Sequence, residues 1–278
     1  MGLRSIALAI LVVAWLPFAQ QPARAASSAL VLVAQSESDL PKNVREAIEQ
    51  AEVLGRAIFE KDVIAAKATD VLLASGLAAG DTRLRGWVTV PDGAGWVVYF
   101  FGEAEDGPLA LYEVRFDDAE SRNPRVRALT SRPPLAKLGA LMFRARQTAV
   151  PALTRPCVAN YNAVVLPAEL VEKEGWLVYL LGASTKQGEV VLTGHLRVHV
   201  TADGKKIVKV DSLSRSCIVL DPPPGDAQRT GLVVSHVIDD WPIETHVYLS
   251  LLHDLPVYVG TSFGKWRVEA GSIFLIDP

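Results

Sequence analysis

Five histidines offer the chain's most chemically versatile side chains, and all of them fall between residues 195 and 253. His236 and His246 are the pair whose spacing suggests chemistry. They flank Asp239-Asp240-Trp241-Pro242-Ile243, which reads as a hairpin turn between strands over Leu232–Ile238 and Thr245–Leu251. In one register the two imidazoles face each other, with β-carbons about 5 Å apart. Asp239 and Glu244 supply carboxylates beside them. Two imidazoles and a carboxylate are a ligand set for one transition metal such as zinc, with a position open for water. Set against this, a slip of one residue turns the histidines to opposite faces of the sheet. His236 also continues the row Leu232, Val234, where a hydrogen-bonded core histidine is ordinary. His195 and His199 stand four apart on an expected strand, roughly 13 Å from one another at about 3.3 Å per residue. They cannot share an ion and read, with Arg197 between them, as a solvated row.

Gly260-Thr261-Ser262-Phe263-Gly264 matches the G-x-S-x-G form of a nucleophile elbow. The elbow needs a helix after the serine and a histidine later in the chain. Here Trp266-Arg267-Val268-Glu269 reads as a strand and no histidine follows, so the motif reads as a glycine-bearing turn. Phosphate-loop, dinucleotide, H-E-x-x-H and C-x-x-C motifs are absent from the sequence. The expectation is a protein that is not an enzyme and needs no cofactor. The alternative is a metal-dependent hydrolase built on His236, His246 and Asp239 or Glu244.

The elements that must position these residues repeat. Gly95-Trp96-Val97-Val98-Tyr99-Phe100-Phe101-Gly102 returns 80 residues later as Gly175-Trp176-Leu177-Val178-Tyr179-Leu180-Leu181-Gly182. Each copy is an apolar, β-favouring run between glycines and reads as a buried strand. Val88-Thr89-Val90-Pro91 ahead of the first copy corresponds to Val164-Val165-Leu166-Pro167 ahead of the second. Trp87, Trp96 and Trp176 therefore fall in strands, where core packing is the expected role.

Helical spacing runs from Pro41 to Gly76, with a break expected near Glu60-Lys61-Asp62 and Asp62 capping a second helix. Pro133-Pro134 opens another helix, closed by Pro151, with Leu135, Leu138, Leu141, Met142 and Ala145 as its buried stripe and Lys137, Arg144 and Arg146 as its wet face. Val190–Val200 reads as one long strand, answered by Ile207–Leu213 after an Asp203-Gly204 turn. Pro222-Pro223-Pro224-Gly225-Asp226 is a stiff linker. The strands beyond it are joined too closely for parallel crossovers and read as an antiparallel meander. The fold class is α+β: duplicated helix-plus-antiparallel-sheet modules with a C-terminal β-meander. The divisions are residues 1–25, a signal peptide; 26–150, the first module; 151–225, the second; and 226–278, the meander packed on both.

The signal peptide is read from Arg4, an apolar run from Ser5 to Ala19, and the A-x-A site Ala23-Arg24-Ala25. That run is too short for a spanning helix, and no later segment would span a membrane. The periplasm or the extracellular space is the expected location, with residues 26–38 a loose lead-in. A net charge of −3 with scattered basic residues gives no nucleic-acid surface. In an oxidising compartment the two cysteines, Cys157 and Cys217, default to a disulfide around the second module. Closing that loop stabilises the fold by about 4 kcal/mol in the chain-entropy model. Two buried free thiols are the alternative.

Several stretches together resemble a group of exported proteins of Gram-negative bacteria with no assigned function. They are Gly55-Arg56-Ala57-Ile58-Phe59 with Asp62 and Thr69-Asp70, Arg85-Gly86-Trp87, Pro156-Cys157, Ser216-Cys217, Ser235-His236, Glu244-Thr245-His246-Val247-Tyr248 and Pro256-Val257-Tyr258-Val259-Gly260-Thr261. The resemblance supports pairing Cys157 with Cys217 and singles out Glu244 and His246. It supplies no catalytic residue. The module plan is also similar to PepSY-like and cystatin-like domains, a likeness of fold alone. The absent catalytic motifs, the duplicated scaffold and export point to a binding or accessory role towards a protein or envelope component.

Overall fold

A single helix, α1 (Lys42–Ala74), packs on both halves of the described chain. The computed structural model describes residues 40–104, 107–118, 124–129, 135–184, 186–225 and 227–278. The expected signal peptide, cleavage site and lead-in, with Thr130, Pro133-Pro134 and Asp226, lie outside those residues. Among the described residues no helix is long and apolar enough to cross a membrane.

After α1 come β1 (Gly86–Asp92), β2 (Gly95–Ala104), β3 (Gly107–Phe116) and β4 (Arg125–Ala128), an antiparallel sheet in the order β1-β2-β3-β4. The helix α2 (Lys137–Ala149) opens the second half. It leads to β5 (Asn160–Pro167), a short 3-10 turn (Ala168–Val171), β6 (Trp176–Ala183), β7 (Val190–Val191), β8 (Leu196–Val200), β9 (Ile207–Ser212) and β10 (Val219–Leu220). The order β5-β6-β8-β9 matches the first sheet, while β7 and β10 form a separate two-stranded ribbon. The register matches too. Pro91 pairs with Trp96 as Pro167 pairs with Trp176, and Val88 pairs with Tyr99 as Val164 pairs with Tyr179.

The helices are shared between the sheets. The C-terminal half of α1 (Ile64, Ala68, Leu72) packs on the Val98, Phe100 and Val114 face of the first sheet. Its N-terminal half (Val44, Ile48, Ala51, Leu54, Ile58) packs with the Leu177, Tyr179 and Leu181 face of the second. Met142, Phe143 and Ala145 of α2 fill the gap between the remaining faces, Val88, Val97 and Phe101 on one side and Val165, Val178 and Leu180 on the other. Each sheet thus buries one face on each helix, and burial on both faces explains the near-continuous apolar strands.

Three expectations about this part are corrected. α1 does not break at residues 60–62. Lys61 and Asp62 are buried and find partners on other elements, so neither is free to cap. At 1.5 Å per residue, an uninterrupted helix of 33 residues reaches about 50 Å, enough to cover both sheets. The long strand over Val190–Val200 is two strands, broken where Gly194 takes φ +93° against Cys157. On α2, Arg146 is half-buried over the Trp87 and Phe101 rings, and Leu138 is 40% exposed.

The disulfide Cys157–Cys217 is formed, with Cα atoms 5.5 Å apart. It ties the segment before β5 to the segment before β10. The C-terminal part departs further from expectation. Residues 244–253 form a helix, α3 (Glu244–His253), not a strand. It connects β11 (Leu232–Ser235) to β12 (Val257–Gly260), which pair in parallel. Only β12, β13 (Lys265–Glu269) and β14 (Ser272–Asp277) form the antiparallel meander. Gly55 lets α3 approach α1, since a β-carbon there would lie 2.4 Å from Val247 Cβ.

Candidate functional site

Where the two modules meet, the ends of equivalent hairpins define an apolar cleft of about 270 Å³. Pro91 and Trp96 come from β1 and β2, and Pro167 and Trp176 from the corresponding positions of β5 and β6. Leu138 of α2 and Leu170 of the 3-10 turn stand at its rim, each 40% exposed. α1 supplies Glu60 and Lys61.

Those two charges are committed to the walls. Glu60 Oε1 accepts from Trp96 Nε1 at 3.2 Å. Lys61 Nζ donates to the carbonyls of Thr89 (3.4 Å) and Val165 (3.0 Å), which are equivalent positions of β1 and β5. It also lies 5.6 Å from the Trp96 ring centre. Burial lowers the Lys61 amine to about 8, partly opposed by Glu60. Asp62, the next residue, accepts from Asn162 (2.9 Å) and Tyr248 (2.8 Å), and burial raises its pKa against those two bonds. With its charges spent internally, the cleft offers an incoming group apolar surface that includes the two tryptophans among its lining.

A second cluster gathers in the C-terminal part. His236 and His246 come together with ring centres 5.0 Å apart and planes at 84°. His236 Nε2 contacts Asp239 Oδ2 at 3.1 Å. Glu244, four residues before Tyr248 on α3, turns the other way. Its Oε1 accepts from Tyr179 Oη (2.9 Å) and Arg197 Nη1 (2.6 Å), and Arg197 also binds Asp211. Burial and then Glu244 push the Tyr179 phenol well above its ordinary value. Burial works against the Arg197 charge, but Glu244, Tyr179 and Asp211 outweigh it and raise its pKa.

His246 occupies the third position of α3. Its ring Nδ1 accepts the Ile243 backbone N–H at 3.0 Å while the His246 backbone N–H donates to the Ile243 carbonyl at 3.0 Å. This is the backbone half of a helix-capping arrangement. It fixes the ring proton on Nε2. Burial, then His236 and His195, lower its pKa to about 3. A metal-binding imidazole has the opposite polarity: a lone pair towards the ion and an N–H towards a second-shell acceptor. As arranged, His246 does not fit a metal. Among the described residues no group of three or more His, Cys, Asp or Glu is placed to hold one.

His195 joins this cluster, which the sequence reading missed. It is buried rather than part of a solvated row, because the break at Gly194 releases it from the face of His199. A glycine inside a strand-like run was the available signal. Ser262, the serine of the G-x-S-x-G match, sits in the β12–β13 hairpin turn against Asp240, as expected of a turn residue. No protein-family model, curated protein or solved structure matches the chain.

Proposed function

We propose that the protein is an exported, non-enzymatic binding module that takes an apolar side chain or short apolar segment of an envelope protein between its two sheets. One observation carries the reading: the Trp96–Trp176 cleft is lined almost wholly by apolar atoms, and its two charged neighbours are already paired. A catalytic pocket would converge several uncommitted polar groups on one point. This cleft does the reverse, and its two exposed leucines present apolar surface to a partner. The export half of the proposal rests on the N-terminal charge, apolar run and A-x-A pattern.

The hydrolase alternative has His236, His246 and Asp239 close together in its favour, but the proton on His246 Nε2 opposes it. A photo-crosslinking amino acid at Leu170, in cells of a Gram-negative host, tests the binding reading. One discrete crosslinked protein, lost when Leu138→Asp is added, is the expected result. An unchanged crosslinking pattern with Leu138→Asp would reject the cleft as the docking site.

A further inference from the structure

β9 (Ile207–Ser212) closes one side of the second sheet, and among the described residues no strand pairs with its outer edge. A sheet edge carries a row of unpaired N–H and C=O groups, and proteins ordinarily blunt it with charge, cover it or pin it. The other edges of the two main sheets are protected in these ways. β4 places Arg125 and Arg127 along the far side of the first sheet. β1 and β5 each give a carbonyl, of Thr89 and Val165, to Lys61 Nζ. β9 stays open. Residues 205–210 are all exposed, and Ile207, Val208 and Val210 are 41%, 58% and 44% exposed.

The ladder fixes which backbone groups are free. The Leu213 N–H donates to the His195 carbonyl at 3.1 Å, and the pairing continues in the same register from Leu196–Ser212 to His199–Lys209. Bonded positions alternate along an antiparallel pair. Asp211 and Lys209 therefore turn their backbone groups to β8, and Val210 and Ser212 turn theirs outwards. Beyond Lys209 the register shifts and Val208 has no partner on β8, so a strand added to this edge meets residues 208–212. When the added strand is β9 of a second copy, two-fold symmetry allows centres at Lys209, Val210 or Asp211. The first sets Lys209 against itself and the last sets Asp211 against itself, and like charges directly opposite destabilise a sheet. The centre at Val210 places Lys209 opposite the partner's Asp211 on both sides of the axis, at the non-hydrogen-bonded positions where side chains come closest. It also joins each Val210 N–H to the Val210 carbonyl of the partner subunit. Arg197 holds Asp211 Oδ2 and leaves Oδ1 to a lysine, which in one copy is Lys209 of the same strand. We infer that β9 is a dimerisation edge, joining two copies antiparallel about Val210 so that two four-stranded sheets become one continuous sheet. It uses no residue of the apolar cleft and does not depend on it.

Sedimentation velocity of the full-length protein over a concentration series tests this, and a monomer–dimer equilibrium is the expected result. Val210→Pro deletes the central N–H, which faces solvent in one copy and is not used by β8. It should abolish the dimer and leave the circular dichroism spectrum unchanged. Lys209→Glu sets like charges opposite one another twice and should weaken dimerisation about tenfold. Under oxidation Val210→Cys should give a disulfide-linked dimer, because directly opposite Cα atoms lie about 5.5 Å apart. Ile207→Cys should not, since the two positions fall roughly 20 Å apart at about 3.3 Å per residue. A monomer at every concentration, a dimer indifferent to both Val210→Pro and Lys209→Glu, or crosslinking through Ile207→Cys rather than Val210→Cys would each overturn the inference.

Discussion

The two sheets carry the same polar row in opposite settings. In the first, Tyr99 pairs with Glu113, and Glu113 with Arg127. In the second, Tyr179 pairs with Arg197, and Arg197 with Asp211. The acid and base have changed places. Arg127 bonds Glu113 at 2.8 Å from an exposed position, and Tyr99 is half-buried. Tyr179 is fully buried because α3 lies over it and adds Glu244 to the row. Cross-strand register sets which residues meet, but the covering element sets the dielectric around them, and so the strength of the same contact.

The largest expected difference comes from truncating the two rows. Glu244→Ala leaves Arg197 and Tyr179 without their shared acceptor and should cost roughly 3–5 kcal/mol in urea unfolding. Arg127→Ala in the first sheet removes an exposed cation from the buried Glu113 while Arg115 stays beside that carboxylate, and should cost less, about 1–2 kcal/mol. Equal costs would break the comparison. The disulfide belongs to the second sheet alone, and replacing Cys157 and Cys217 with alanine should remove roughly 2–5 kcal/mol. Hydrogen exchange should then rise first around β7 and β10 rather than in β1–β4.

Acid should also select the second half. His195 is held at about 4 by burial, and His246 at about 3 by burial and its histidine neighbours. Both are lowered from 6.5, so the unfolded chain binds more protons between 6.5 and those values. Their stability contribution is therefore complete above pH 6.5 and is lost as pH falls through about 4 and about 3. At about 1.4 kcal/mol per unit, His195 contributes up to about 3 kcal/mol. His195→Gln should flatten that part of a pH–stability profile, and an unchanged profile would remove His195 from the account. Lys61→Met sharpens the comparison from the centre. It strands one carbonyl in each sheet and should cost about 1–3 kcal/mol, loosening β1 and β5 together.

The repeat was legible because both glycine-bounded strand runs bury two faces and keep the same glycines, tryptophan and tyrosine. The apolar cleft was half legible. Trp96 and Trp176 were identified as strand residues, but only the packing of two hairpin ends brings them to one opening. The helix α3 was hidden because every residue from Glu244 to Ser250 is buried. A segment buried all round shows no helical period, and Thr, Val and Tyr favour strands. The same error made β11 and β12 look antiparallel. The continuity of α1 was hidden by Lys61 and Asp62, whose partners lie far away in sequence.

The central claim is that the Trp96–Trp176 cleft receives an apolar group, and fluorescence of the apolar probe anilinonaphthalene sulfonate with the full-length folded protein tests it most directly. Saturable one-site binding, accompanied by quenching of tryptophan emission and abolished by Leu138→Asp or Leu170→Asp in proteins of unchanged stability, is the result expected. Absence of saturable binding, or binding indifferent to both substitutions, would contradict it.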